Sequence, residues 1–375
     1  MQLVRQCFPH VRVVLQATSC VMLAALAFNT GTNKSQHSQA IGSQGLTTSM
    51  IGFGAMEITS VYNPPLADEA ALALLDGIQA LGVTFYDTSE IYKRDSANII
   101  YEIPENQTSA WYNEQVLGYH FQKLPRRSYT IATKYMPSVH GGKCDFKTMA
   151  HALNASLTRL GVAYVDIYYL HRMPASVELL DECMTSLGRL VHLQKVKYVG
   201  LSEASPKWLK RAHAVHPVSV IQQEWSLLSR DLEEELVPTC VALGIGIVAY
   251  SPLARSLLTN PEAPRYRPQT SRFTADNWSI NKALVVEIAS LAAEKNATLA
   301  QLSLAWLYER ARVLDVSLVA IAGTTNVKHM QDNMGFSKLR LSVADMAMLD
   351  GIADRVSGAR GTAAYMSRSF EHTAY

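Results

Sequence analysis

From Gly45 onward the chain repeats one pattern: a short apolar run rich in β-branched and aromatic residues, a turn, then a longer stretch whose apolar positions recur three and four apart. The first kind of segment fits a strand buried on both faces, the second an amphipathic helix. Strands are predicted at 49–54, 83–86, 129–133, 164–170, 198–201, 218–222, 246–250 and 317–322. Between them, helices are predicted at 68–81, 111–123, 147–160, 176–192, 206–215, 231–243 and 299–312, with additional ones at 282–294 and 343–353. The 68–81 segment opens on Asp68 and Glu69 and stops before Gly82, as the helix dipole and a glycine C-cap favour. Eight such units in one chain favour an α/β fold closed as a (β/α)8 TIM barrel over an open sheet. The organisation expected is an N-terminal extension over 1–40, the barrel over 41–356 and a C-terminal tail over 357–375.

Composition removes alternatives. With 48% hydrophobic and 18% charged residues the chain can bury a large core, and a net charge of +2 supplies neither a nucleic-acid stripe nor a polybasic membrane patch. Cys7, Cys20, Cys144, Cys183 and Cys240 are widely spaced, with no metal-ligand pattern, and read as buried reduced thiols; no metal is expected. No Asp or Glu precedes Glu57, while Arg5 and Arg12 lead into the apolar run 13–28. That start reads as a secretory signal or an organellar presequence, with the mature chain placed by preference in the cytoplasm. The run falls short of the roughly 20 apolar residues a membrane span needs. The polar stretch 29–44 reads as a linker.

Neither a G-x-G-x-x-G turn nor a G-x-x-x-x-G-K-[ST] loop is present, so any dinucleotide must be held in another way. In a barrel, chemistry sits where the carboxyl ends of the strands meet their loops. Three apolar runs end there on a reactive group: 83–86 on Asp87, 131–133 on Lys134 and 167–170 on His171, with Tyr92 five residues beyond Asp87. Each alone has a plain structural use, as a cap, a snorkelling cation, a core imidazole or a loop aromatic. Four of them at neighbouring strand ends point to a shared site.

These residues resemble the catalytic Asp, Tyr, Lys and His of the aldo-keto reductases. The resemblance runs from about Ile41 to Ala353 and is carried further by Gly45-Leu46-Thr47 before Gly52-Phe53-Gly54, Phe85-Tyr86-Asp87-Thr88, Asn113-Glu114 with Gly118, Gly200-Leu201-Ser202 and Ala249-Tyr250-Ser251-Pro252-Leu253. The stretch 200–205 is most similar to the branch with perakine-reductase-like and bacterial oxidoreductase-like members. The resemblance implies NADPH, with NADH as the alternative, reducing a small aldehyde or ketone. Tyr92 would donate the proton, Lys134 would stabilise the phenolate left behind, Asp87 would keep Lys134 charged and His171 would aim the carbonyl oxygen. It also implies that Tyr250 stacks on the nicotinamide and that Ser202 and Gln222 hold its carboxamide. Gly54 and Met56 would approach the ribose, Ser251, Leu253 and Arg255 the pyrophosphate, and Gly323, Thr324, Thr325, His329 and Asn333 the adenosine end.

The chain departs from the family in four places. Glu203 stands where many members carry Asn, and His329, with Lys328 beside it, stands where an arginine often grips the 2′-phosphate. The insertion 93–110 is expected to form a flap over the substrate mouth, and the tail to line the pocket. A cofactor-binding regulatory subunit resembling the potassium-channel β subunits is the alternative function, since fold alone does not separate it from an enzyme.

Overall fold

The computed structural model describes residues 38–59, 64–94, 112–260 and 271–366. Expectations for 1–37 and for the flap residues 95–110 lie outside the described residues. The strands are β1 Ser38–Ile41, β2 Leu46–Ser49, β3 Ile51–Gly54, β4 Phe85–Asp87, β5 Thr130–Tyr135, β6 Val165–Leu170, β7 Val196–Ser202, β8 Val220–Glu224, β9 Gly246–Tyr250 and β10 Leu318–Ala322. The helices are α1 Asp68–Ala80, α2 Asn113–Phe121, α3 Phe146–Leu160, α4 Val177–His192, α5 Pro206–Val215, α6 Leu236–Leu243, α7 Ala275–Glu294, α8 Leu299–Val313, α9 Val327–Met334, α10 Val343–Ala353 and α11 Ala363–Met366. β3 to β10 close into an eight-stranded parallel barrel in which β10 pairs with β3, as the strand-helix rhythm requires.

Side-chain alternation explains what fills the barrel. Phe85, Ala132, Ile167, Tyr169, Val220, Val248, Val319 and Ile321 meet in one buried cluster inside it, while the other strand faces join the larger apolar layer under the helices. Gly200 makes this possible on β7, because a Cβ there would collide with the Tyr169 ring. At the amino-terminal end the cluster is completed by Ile41 and Leu46, both buried, from the antiparallel hairpin β1–β2. This corrects the linker reading for residues 38–44; 29–37 lie outside the described residues. Two glutamines of the hairpin lock it onto the barrel rim: Gln39 donates to the Leu318 carbonyl at 2.8 Å and Gln44 to the Val218 carbonyl at 3.0 Å. Gly42, at φ +66, passes so close to Ser219 that a Cβ would sit 2.7 Å from its carbonyl oxygen.

Two helices differ from their expected bounds for tertiary reasons. α7 begins at Ala275, not at 282, because the polar residues of its first turns are used: Asn277 donates to the Ser271 carbonyl and accepts from the Ser357 hydroxyl, and one turn on Asn281 is buried between Arg272 and Ser357. α6 starts at Leu236, preceded by a single 3-10 turn at Asp231–Glu233. Cys144 and Cys183 are joined in a disulfide with Cα atoms 4.6 Å apart, which corrects the expectation of reduced thiols for that pair; Cys240 is free and buried. No helix among the described residues is long and apolar enough to cross a membrane.

Candidate active site

The alternation that packs the barrel also aims its last residues. Two positions beyond Phe85, Ala132 and Tyr169 come Asp87, Lys134 and His171, and two beyond Gly200, Val220 and Val248 come Ser202, Gln222 and Tyr250. All lie at the carboxyl ends of the strands.

Lys134 is fully buried and its ammonium donates to Asp87 Oδ1 and, at 2.7 Å, to the Thr88 carbonyl. The other carboxylate oxygen of Asp87 accepts from Gln222 Nε2 at 2.7 Å. Burial pulls Lys134 toward neutrality, but Asp87, aided by the Tyr92 hydroxyl, outweighs it and holds the ammonium above its ordinary pKa. Burial raises Asp87 against the opposing pull of Lys134 and Gln222. With the Lys134 ammonium and the Gln222 amide both donating to Asp87, the pair stands as ammonium and carboxylate. Tyr92 is half-buried, and the Lys134 nitrogen lies 5.0 Å from its ring centroid. The Tyr92 and His171 rings meet edge-on at 5.9 Å. His171 is driven well below its ordinary value by burial, then by Arg172 and Lys134, which favours the neutral imidazole. The four groups singled out in the sequence are therefore one cluster.

The expected cofactor residues divide into two sets. On one side Gly54 and Gly323 sit at the adjoining ends of β3 and β10, with the half-buried Met56 just beyond and Thr324 Oγ1 3.3 Å from His329 Nδ1. Asn333 is buried on α9, whereas Thr325 is half-buried and Lys328 and His329 are exposed. On the other side the chain after β9 turns through left-handed φ at Ser251, Ala254, Arg255 and Ser256, with Leu253 inside the turn.

That second side is also where the tail arrives. Arg360, 1% exposed, donates to both oxygens of the fully buried Glu203 and to Glu224 Oε2 at 3.2 Å. Its carbonyl accepts from Arg255, whose guanidinium also reaches Glu224 at 3.0 Å. The Tyr250 hydroxyl bonds Glu203 at 2.6 Å and the Tyr365 hydroxyl, and Arg172 bridges the His171 carbonyl and Ser202 Oγ. Burial opposes ionisation of Glu203, yet Arg360 and Arg172 hold its carboxyl below the usual range. Sequence reasoning noted Glu203 only as a departure, expected the tail to line the pocket without singling out Arg360 or Tyr365, and gave Arg172 and Glu224 no role. Arg172 follows His171 and Glu224 shares the inward face of β8 with Gln222, which were readable signals; nothing local marks Arg360. Among the described residues no cluster of His, Cys, Asp or Glu could hold a metal ion.

Comparison with known proteins agrees with the barrel architecture. The model of the aldo/keto reductase family matches residues 50–354. A relative from Glycine max described as probable aldo-keto reductase 1 is 37% identical over 319 residues, covering 82% of this chain and 86% of its own. Among solved structures, an aldo-keto reductase from Klebsiella pneumoniae in complex with NADPH superposes with a TM-score of 0.62 at 22% identity, over 85% of this chain and 98% of that one. A glycerol dehydrogenase from Gluconobacter oxydans gives 0.69 at 19%, over 86% and 96%. At these identities the solved structures speak for the fold.

Proposed function

The chain belongs to the aldo/keto reductase family, and from that premise we propose that it reduces a small aldehyde or ketone with NADPH. The observation that carries this reading is the meeting of Tyr92, Lys134, Asp87 and His171 at one end of the barrel. NADPH, when bound, supplies a hydride to the carbonyl carbon. The chain's own residues then have to supply a proton to the oxygen and hold it in place. Tyr92 is the donor, because its half-buried phenol reaches substrate while Lys134 stabilises the oxyanion left after donation. Asp87 keeps the buried lysine charged, and neutral His171 offers a hydrogen bond where negative charge develops.

The residues fit the cofactor. The left-handed turn 251–256 and Arg255 suit a pyrophosphate, and Tyr250 at the end of β9 would stack on the nicotinamide. Ser202 and Gln222 would hold the carboxamide; Gln222 already gives its amide N–H to Asp87, so its carbonyl oxygen is the natural contact. Gly54 and Met56 would line the ribose, and Gly323, Thr324, Thr325, His329 and Asn333 the adenosine end, with Lys328 and His329 offering the preference for a 2′-phosphate over NADH. The test is a fluorescence titration with NADPH and NADH, followed by cofactor consumption across a panel of aldehydes and ketones. Tighter NADPH binding and turnover of some carbonyl are expected. Binding without any turnover would favour a cofactor-sensing regulatory subunit instead.

The Cys144–Cys183 bond bears on the compartment. Persistent disulfides belong to oxidising environments, so this pair supports the secretory reading of residues 1–40 over the cytoplasmic one. Alkylation of the denatured, unreduced protein from its native source should leave both cysteines unmodified in the mass spectrum; modification of the two would restore the cytoplasmic reading.

A further inference from the structure

Ser89, fully buried, stands in the turn between Asp87 and Tyr92, and no sequence motif singles it out. Its two polar handles reach two different reactive groups. The main-chain carbonyl accepts the Tyr92 N–H at 3.1 Å and so fixes where the phenol begins. The hydroxyl lies 3.1 Å from His171 Nδ1. Direction matters in that second bond, since a neutral imidazole carries one N–H and one lone pair. Ser89 is fully buried and its oxygen takes the Ile91 N–H at 3.5 Å; among the described residues His171 Nδ1 is the acceptor within reach of the hydroxyl's own hydrogen, so the hydroxyl donates there and no buried O–H is left unsatisfied. A ring that accepts at Nδ1 carries its hydrogen on Nε2.

Resting on the reductase reading, we propose that Ser89 is a positioning residue that locks His171 in the Nε2–H tautomer, so that the imidazole donates to the substrate's carbonyl oxygen instead of facing it with a lone pair. The charged groups around the ring are Lys134 and Arg172, both cationic, and they oppose imidazolium formation without choosing between the two neutral tautomers. The choice falls to the hydroxyl. One serine thereby sets both the origin of the phenol and the polarity of the imidazole that works opposite it.

The experiment is nitrogen-15 NMR of histidine-labelled protein, with the His171 ring assigned by its loss in His171→Gln, on the wild type, Ser89→Ala and Ser89→Thr. The wild type should show hydrogen on Nε2. Ser89→Ala should lose the single tautomer and lower kcat about tenfold, the size of one hydrogen bond, with NADPH affinity unchanged. Ser89→Thr, which keeps the hydroxyl, should restore both. A wild-type ring protonated on Nδ1 overturns the proposal, as does an alanine variant with an unaltered spectrum and kcat. If the alanine variant does not fold, the wild-type assignment decides alone. A wild type that consumes no carbonyl would sink the reductase reading and leave the tautomer still readable.

Discussion

Tyr92→Phe should lower kcat by roughly a hundred- to ten-thousand-fold, the usual worth of a positioned general acid, while NADPH binds as before. The substitution removes one oxygen and keeps the ring, so the edge-on contact with His171 and the approach of the Lys134 nitrogen to the ring face are retained. What goes is the only atom of that side chain able to release a proton. Single-turnover measurement with prebound NADPH isolates the chemical step from product release; an unchanged rate would remove Tyr92 from the reaction and with it the reading of the whole cluster.

Lys134→Met should cost stability as well as activity. Methionine fills much the same volume, but Asp87 is then a buried carboxylate with the Gln222 amide as its remaining side-chain donor. Stranding one partner of a buried pair typically costs about 3–5 kcal/mol, which urea unfolding would read directly. The deficit should depend on pH in a defined sense. Burial already lifts Asp87 above the ordinary carboxylate range, and without the ammonium it rises further. The folded variant then holds a proton that the unfolded chain releases, so its stability is greatest below the ordinary aspartate value and is lost as pH rises through the folded one. Asp87→Asn combined with Lys134→Met should recover most of the stability and none of the turnover. A single variant as stable as the wild type at neutral pH would mean that the two groups are not an ion pair.

How far the sequence could be read depended on the range of the forces involved. β9, α5 and α10 end where local pattern and caps place them, and the inward parity of each strand carried Asp87, Lys134 and His171 to one rim without any knowledge of the helices. Features that rest on distant partners were not visible. The hairpin β1–β2 is a plug only because a barrel mouth stands under it. The first turns of α7 are polar because they dock residue Ser357. The Cys144–Cys183 pair is separated by 39 positions, and spacing alone does not decide pairing. Arg360 meets Glu203 across 157 positions, where only the finished fold brings them together.

That last contact fixes an order of assembly. The eight strands and their helices are complete by α9, yet the groups that cap Glu203, Glu224 and Tyr250 come from the final part of the chain. During synthesis the barrel can bury its core while the roof over its rim has still to leave the ribosome, so the mouth is finished last. Truncation before Arg360 would therefore strip the described roof from Glu203, Glu224 and Tyr250, whereas the opposite end of the barrel is sealed early by the hairpin.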